Sequence, residues 1–219
     1  MKPIRSIYMF ALLATAVAVA GFSQSQHQHE QNTQEKDRDR WMWQLPRHVM
    51  ESIGVRPGMV VADVGAGEGY FSLLMAERVG DGGRVYANDI NERALGVLRE
   101  RCREDKIENI KIIKGKPDDP LLPEAAVDLA LLVNVIHLVE NRAAFLENLK
   151  RSLKPEGTIV FVQWDADKMA VESPGWDPED RAKYSQQTTL HMIGEAGLEV
   201  VRTETFLPVQ NIYICIVRE

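Results

Sequence analysis

The 219-residue sequence predicts an α/β fold, a doubly wound and mostly parallel sheet with helices on both faces. Short β-rich runs alternate with segments whose apolar residues recur at helical spacing. That is the pattern of βαβ units, which force parallel pairing. The run at 127–133, VDLALLV, is nearly all apolar, as a strand covered on both faces must be. Finally, a strand at 59–64 runs into three closely spaced glycines and then a helix, the turn expected at the carboxyl edge of such a sheet.

The elements follow in order. Trp41 and Trp43 open a segment in which Val49, Met50 and Ile53 recur at helical spacing before Gly54, which predicts a helix lying against the main domain. The strand at 59–64 leads through the glycines to a helix at 70–79. The turn Asp81-Gly82-Gly83 precedes a second strand at 85–89, and Asn91 caps a helix over 91–102. Strands are expected at 110–114, 127–133 and 158–164. A helix at 142–153 stops before Lys154-Pro155, because proline cannot continue it. Two β-rich runs, 198–206 and 211–218, flank a proline-containing turn and predict a closing hairpin. Between them and the fifth strand, 167–189 holds Trp176, several charges and two prolines, and is expected to lie over the strand edge as a lid or substrate loop.

Composition excludes several classes. The formal charge is −6, and it becomes −8 without Lys2 and Arg5, so no net field draws this chain to nucleic acid. Cys102 and Cys215 stand far apart without CxxC spacing; two free buried thiols are expected, with neither a disulfide framework nor a metal cluster.

The amino terminus is a separate unit. Lys2 and Arg5 precede an uncharged, mostly apolar run at 7–22, and Ala18-Val19-Ala20 has the small-x-small pattern that signal peptidase reads. Residues 1–23 are therefore read as a signal peptide, with cleavage after Ala20 or Ser23 both legible, and the mature protein as periplasmic or secreted. The run is shorter than the roughly 20 residues a comfortable bilayer span needs, so no stable span is expected after cleavage. An uncleaved membrane tether is the alternative. Residues 24–40 lack apolar periodicity and read as a flexible polar leader, its His27 and His29 as part of that tail rather than as metal ligands. The folded domain is placed at 41–219.

The chemistry centres on Val61-Ala62-Asp63-Val64-Gly65-Ala66-Gly67-Glu68-Gly69-Tyr70-Phe71. Glycines at a strand's carboxyl end let backbone approach a ligand, and the next helix offers unpaired N–H groups to an anionic part of it. A dinucleotide fingerprint needs its third glycine at position 70, which is Tyr70 here, so the spacing favours a ligand without a pyrophosphate. Asp89 ends the second strand 20 residues beyond Gly69, the distance at which an acidic side chain reaches ribose hydroxyls.

VADVGAGEGYF, VYANDIN and AVDLALLVNVIHLVEN resemble, in that order, the first, second and fourth motifs of class I S-adenosylmethionine-dependent methyltransferases. LKPEG is similar to the LKPGG turn of that family, with Glu156 in place of its first glycine, and EVVRTETF with NIYICIVRE looks like its reversed terminal hairpin. The resemblance covers about 41–219. It implies a Rossmann-like seven-stranded sheet of order 3-2-1-4-5-7-6 with the last strand antiparallel, S-adenosyl-L-methionine as cofactor and a small-molecule acceptor as partner. It also implies that Gly65, Ala66, Gly67 and Gly69 line the methionine part, that Asp63 orients the loop, and that Asp89 holds the ribose beside Ile90. Asp118 and Asp119 would flank the adenine, although the family's Asp directly after Gly115 is Lys116 here. Asn134 would stand beside the transferred methyl group.

Asn134-Val135-Ile136-His137 is not the NPPY type of sequence, which disfavours amino-group methylation. His137 is the one histidine near the expected strand end and is the candidate general base. Tyr70, Trp164 and Asp165 are placed on the same edge as candidate lining of the acceptor cavity. GDGGRVYANDI also resembles protein methyltransferases of the isoaspartyl-repair type, a second reading. A non-catalytic cofactor-binding domain is the third, motivated by the scarcity of this cofactor outside the cytosol, and a nicotinamide oxidoreductase ranks last because of Tyr70.

Overall fold

The computed structural model describes residue 35, residues 37–172 and residues 182–218. The signal segment, most of the leader including His27 and His29, and the middle of the expected lid with Trp176 lie outside them. Within the stretch read as an unstructured leader, residues 37–40 are helical. The chain divides after Met42, and the sheet belongs to the unit Trp43–Glu219.

That unit begins with α1 (Pro46–Ser52), followed by β1 (Val60–Val64), α2 (Tyr70–Val79), β2 (Arg84–Asp89), α3 (Glu92–Glu104), β3 (Ile110–Lys114) and β4 (Val127–Val133). Then come a 3₁₀ turn (Ile136–Leu138), α4 (Arg142–Ser152), β5 (Leu153–Trp164), α5 (Ala166–Glu172), α6 (Gln186–Glu195), β6 (Leu198–Glu204) and β7 (Gln210–Val217). The seven strands form one sheet of order β3-β2-β1-β4-β5-β7-β6. The first five pair in parallel, and β7 runs antiparallel to both β5 and β6. The α/β expectation and the order implied by resemblance both hold.

Local chemistry explains where elements stop. The single helix expected from Trp41 to Ile53 is broken at Leu45, which takes a left-handed φ of 43° before Pro46, because proline disfavours helical backbone in the residue preceding it. Asn91 caps α3 as expected, its side chain accepting from the N–H groups of Arg93 and Ala94. The fifth strand starts earlier than the expected 158: Leu153 already pairs with Val127, ahead of a register shift that absorbs the Lys154-Pro155 turn. The Lys154 ammonium donates to Asp128 at 2.7 Å, and the other oxygen of that carboxylate accepts from the Val60 amide at 2.8 Å. The expected lid is largely helical where described, in α5 and α6.

Strand alternation builds two cores. Val61, Val85, Leu129, Leu131, Val160 and Val162 face α1 and α2, while Ala62, Val64, Ala130, Leu132, Ile159 and Phe161 face α4 and α6. Cys215 is buried in the second core, where desolvation pushes its thiol up to about 12; Cys102 is only half buried, contrary to expectation. Among the described residues, no helix is long and apolar enough to cross a membrane.

The order of strands reverses between β1 and β4, so their carboxyl ends diverge into separate connections and leave a crevice there. Gly65 closes the floor of that crevice. Its φ is +75°, and a Cβ placed on it would lie 2.2 Å from Val135 Cγ2, just beyond β4. Gly65→Ala is therefore expected to cost about 2 kcal/mol or more in urea unfolding, from backbone strain and overlap together. Combining it with Val135→Ala should lose less than the two single changes added, because only the overlap is relieved. Wild-type stability for Gly65→Ala would contradict this packing.

Candidate active site at the β1 and β4 tips

Asp63, in the fourth position of β1, points to the α2 side of the sheet by strand alternation. It is 3% exposed and accepts a 2.6 Å hydrogen bond from Ser72 Oγ in the first turn of α2. A carboxylate near a helix amino terminus is favoured there by the helix dipole, so Asp63 holds the glycine turn against the helix it feeds. The turn is also fastened from β2: the amides of Gly65 and Ala66 both donate to the Asn88 carbonyl at 2.8 Å. Arg101 donates to the Glu68 carbonyl at 2.9 Å.

Asp89 closes the arrangement. One of its carboxylate oxygens accepts from the Gly67 amide and the other from the Asn91 amide, each at 2.8 Å. A carboxylate oxygen offers more than one lone pair, so both oxygens can accept further donors without giving up these amides. Gly67 has a φ of +56° and nothing within 4 Å of where its Cβ would be, so its open side faces space that a ligand can fill. Ile90, next to Asp89, is 58% exposed, an apolar surface beside an anionic one. A cofactor carrying a vicinal diol and a flat base fits this donor and acceptor set.

The loop after β3 contributes less directly. Asn88 Nδ2 donates to the Pro120 carbonyl at 2.8 Å and draws that loop over β2. Asp119 uses Oδ1 to accept from the Leu121 amide at 2.8 Å, which commits that oxygen to its own turn. Asp118 is exposed, and its backbone carbonyl accepts from Asn148.

Asn134, the first residue after β4, has a φ of +57°, a left-handed conformation that asparagine tolerates better than most residues. Its amide donates to the Val162 carbonyl, and its Oδ1 accepts from Gln210 Nε2 at 3.0 Å. Gln210 Oε1 in turn accepts from Gln44 Nε2 at 2.9 Å, and both glutamines are fully buried. This amide chain orients Asn134 from β7 and from Gln44; no sequence signal marks two glutamines 166 residues apart as partners.

His137 lies on the 3₁₀ turn after β4. Its Nδ1 is 3.4 Å from Gln163 Oε1, and its ring meets that of Tyr184 edge-on at 4.9 Å. Burial holds its pKa below the ordinary 6.5; the Gln163 contact opposes this, and the nearby Lys183 and Arg142 charges add to it. The imidazole is therefore neutral at pH 7, the form that accepts a proton.

The other candidate lining residues are occupied structurally. Asp165 caps α5, accepting from the amides of Asp167 and Lys168 at 2.9 and 3.2 Å, and its other oxygen accepts from Asn211 Nδ2. Tyr70 is buried against Phe71. Trp164 stacks on Trp43 with centroids 5.3 Å apart. The Lys168 ammonium donates to the carbonyls of Thr205, Leu207 and Gln210 at 2.7 to 3.0 Å, clasping α5 to the turn between β6 and β7. Among the described residues, no group of His, Cys, Asp and Glu side chains is placed to hold a metal ion.

The family described as a methyltransferase domain matches residues 56–199. The ubiquinone/menaquinone biosynthesis C-methyltransferase UbiE of Hydrogenovibrio crunogenus is 34% identical over 119 residues, 54% of this chain and 47% of that protein. That of Shewanella woodyi is 30% identical over 132 residues, 60% of this chain and 53% of that protein. The matches thus span about half the length of these curated relatives. Among solved structures, a SAM-dependent methyltransferase from Aquifex aeolicus superposes with a TM-score of 0.70 at 25% identity, covering 78% of this chain and 89% of that one. With its strand order, its glycine turn and the acidic tip of β2, the chain belongs to the class I S-adenosylmethionine-dependent methyltransferase family.

Proposed function

We propose that this chain moves a methyl group from S-adenosyl-L-methionine to a small-molecule acceptor, and that the tips of β1, β2 and β4 hold the donor. The observation that carries the reading is the Asp89 carboxylate, which joins the glycine turn to the end of β2 and keeps acceptor capacity for a diol. The similarity to C-methyltransferases of quinone biosynthesis supports an acceptor of small-molecule size.

In this reading Gly65, Ala66, Gly67 and Gly69 cradle the methionine end, Asp63 fixes the turn, and Asp89 accepts from the ribose hydroxyls. Ile90 covers one face of the adenine, with Asp118 and Asp119 at its edge. The bound cofactor supplies an electrophilic methyl on a sulfonium. The protein's part is to hold the acceptor atom in line with it, a positional effect large enough to provide much of the rate. Asn134, locked by Gln210, shapes the wall beside the reacting atoms. His137, neutral at pH 7, takes the proton that the acceptor gives up.

The run at 7–22, outside the described residues, is proposed as an export signal that leaves the domain periplasmic or secreted. Sequencing the amino terminus of the protein recovered from fractionated cells checks it: a start after Ala20 or Ser23 supports export, and an intact Met1 in the membrane fraction supports the tether.

Two outcomes test the site. Asp89→Ala should weaken S-adenosylmethionine binding in calorimetry by about tenfold or more, the scale of hydrogen bonds to a charged group; unchanged affinity would remove Asp89 from the site. Since His137 is neutral above its lowered pKa, kcat/KM should fall with acid only below pH 6.5, and His137→Gln should abolish that limb. A limb that survives the substitution would assign the base elsewhere.

A further inference from the structure

A cavity of about 230 Å³ lies on the α4 and α6 side of the sheet, beside the ends of β4 and β5. His137, Gln163, Arg142, Lys183 and Tyr184 stand around it, and Leu146 and Met192 supply apolar wall. Its connection to the donor crevice is short: Val135 packs on Gly65 of the glycine turn, and His137 follows two residues later.

The polar groups are unevenly supplied with partners. Gln163 is 3% exposed and engages His137 through Oε1, but its Nε2 has no hydrogen-bond partner among the described residues. An unsatisfied buried amide costs free energy, and its presence in a cavity wall calls for an oxygen to accept from it. The charges are also one-sided. Two cations, Arg142 and Lys183, stand against one carboxylate, Glu195, which contacts His191 at 3.3 Å, and neither cation has a carboxylate within ion-pair distance among the described residues. Both cations lie near enough to His137 to disfavour its protonation. Arg142 is anchored by donating from Nε to the Ile136 carbonyl at 3.2 Å, and the Lys183 ammonium sits 5.2 Å above the Tyr184 ring. The Tyr184 and His137 rings, packed edge-on at 77°, make this part of the wall aromatic.

We infer that this cavity is the acceptor pocket and that it takes a single-ring planar molecule bearing an anionic oxygen, with Gln163 Nε2 donating to that oxygen and Arg142 and Lys183 balancing its charge. The volume lies below the usual range of pockets for drug-sized ligands, about 300–1,000 Å³, which limits the occupant to roughly one ring. The assignment to the acceptor rests on the methyl-transfer reading; the preference for an anionic ring does not.

The test uses the full chain with benzoate as the probe and benzyl alcohol as its neutral counterpart, followed by ligand-observed NMR and calorimetry. S-adenosylmethionine affinity is measured alongside. Benzoate should bind more tightly than benzyl alcohol, and Gln163→Leu should weaken it about fivefold, the scale of one lost hydrogen bond. Lys183→Gln, at an exposed position that leaves folding intact, should weaken benzoate but not benzyl alcohol. Cofactor affinity should stay the same in both variants. Absent benzoate binding, equal binding of the neutral probe, or indifference to both substitutions overturns the pocket while cofactor binding preserves the methyltransferase reading. Benzoate binding without any cofactor binding overturns that reading and, with it, the assignment of this cavity to the acceptor.

Discussion

One carboxylate ties together the part of the molecule that everything else depends on. Asp89 accepts from Gly67 with one oxygen and from Asn91 with the other, so the turn leaving β1 and the helix entry after β2 share a single anchor. Those two groups belong to neighbouring parallel strands, whose register sets Val64 opposite Asn88 and so brings the tips level. The arrangement presets the crevice: its backbone amides are already oriented, and a ligand that supplies hydroxyl donors adds to the network instead of rebuilding it.

The sheet then distributes function by parity. Asp63 projects toward α2, where Ser72 receives it, and Gln163 shares the alternation of Ile159 and Phe161 toward α4 and α6. The crevice between β1 and β4 and the cavity beside His137 both stand at the carboxyl edge of the sheet and are joined through the short connection after β4. The left-handed backbone of Asn134 begins that connection, and Gln210 and Gln44 brace it from β7 and the segment before α1. A left-handed backbone at this position persists because its surroundings hold it in place.

Much of this was legible in the order of residues. Short β-rich runs between segments of helical spacing located all seven strands within a few positions, because a strand covered on both faces has to be apolar and a helix on a sheet has to show one apolar stripe. The glycine turn and Asp89 were equally plain as candidates, since the close backbone approach and the ribose contact proposed for them each demand a particular residue at a particular distance. The misreadings have local causes. Leu45 breaks a helix that periodicity alone would continue, and Leu153 joins the sheet before the proline turn because Val127 offers it a ladder partner.

The sequence by itself determined the fold family, the methyl donor and the position of the glycine turn, because those depend on short-range spacing and on residue types that few alternatives can replace. Only the tertiary structure decided how Asn134 is oriented, that the Gln163 amide N–H lacks a partner among the described residues, and that Lys183 comes to stand beside His137. Such groups meet across separations of tens to more than a hundred residues, through strand pairing and helix packing, and no local pattern encodes which long-range neighbours a polar side chain will find.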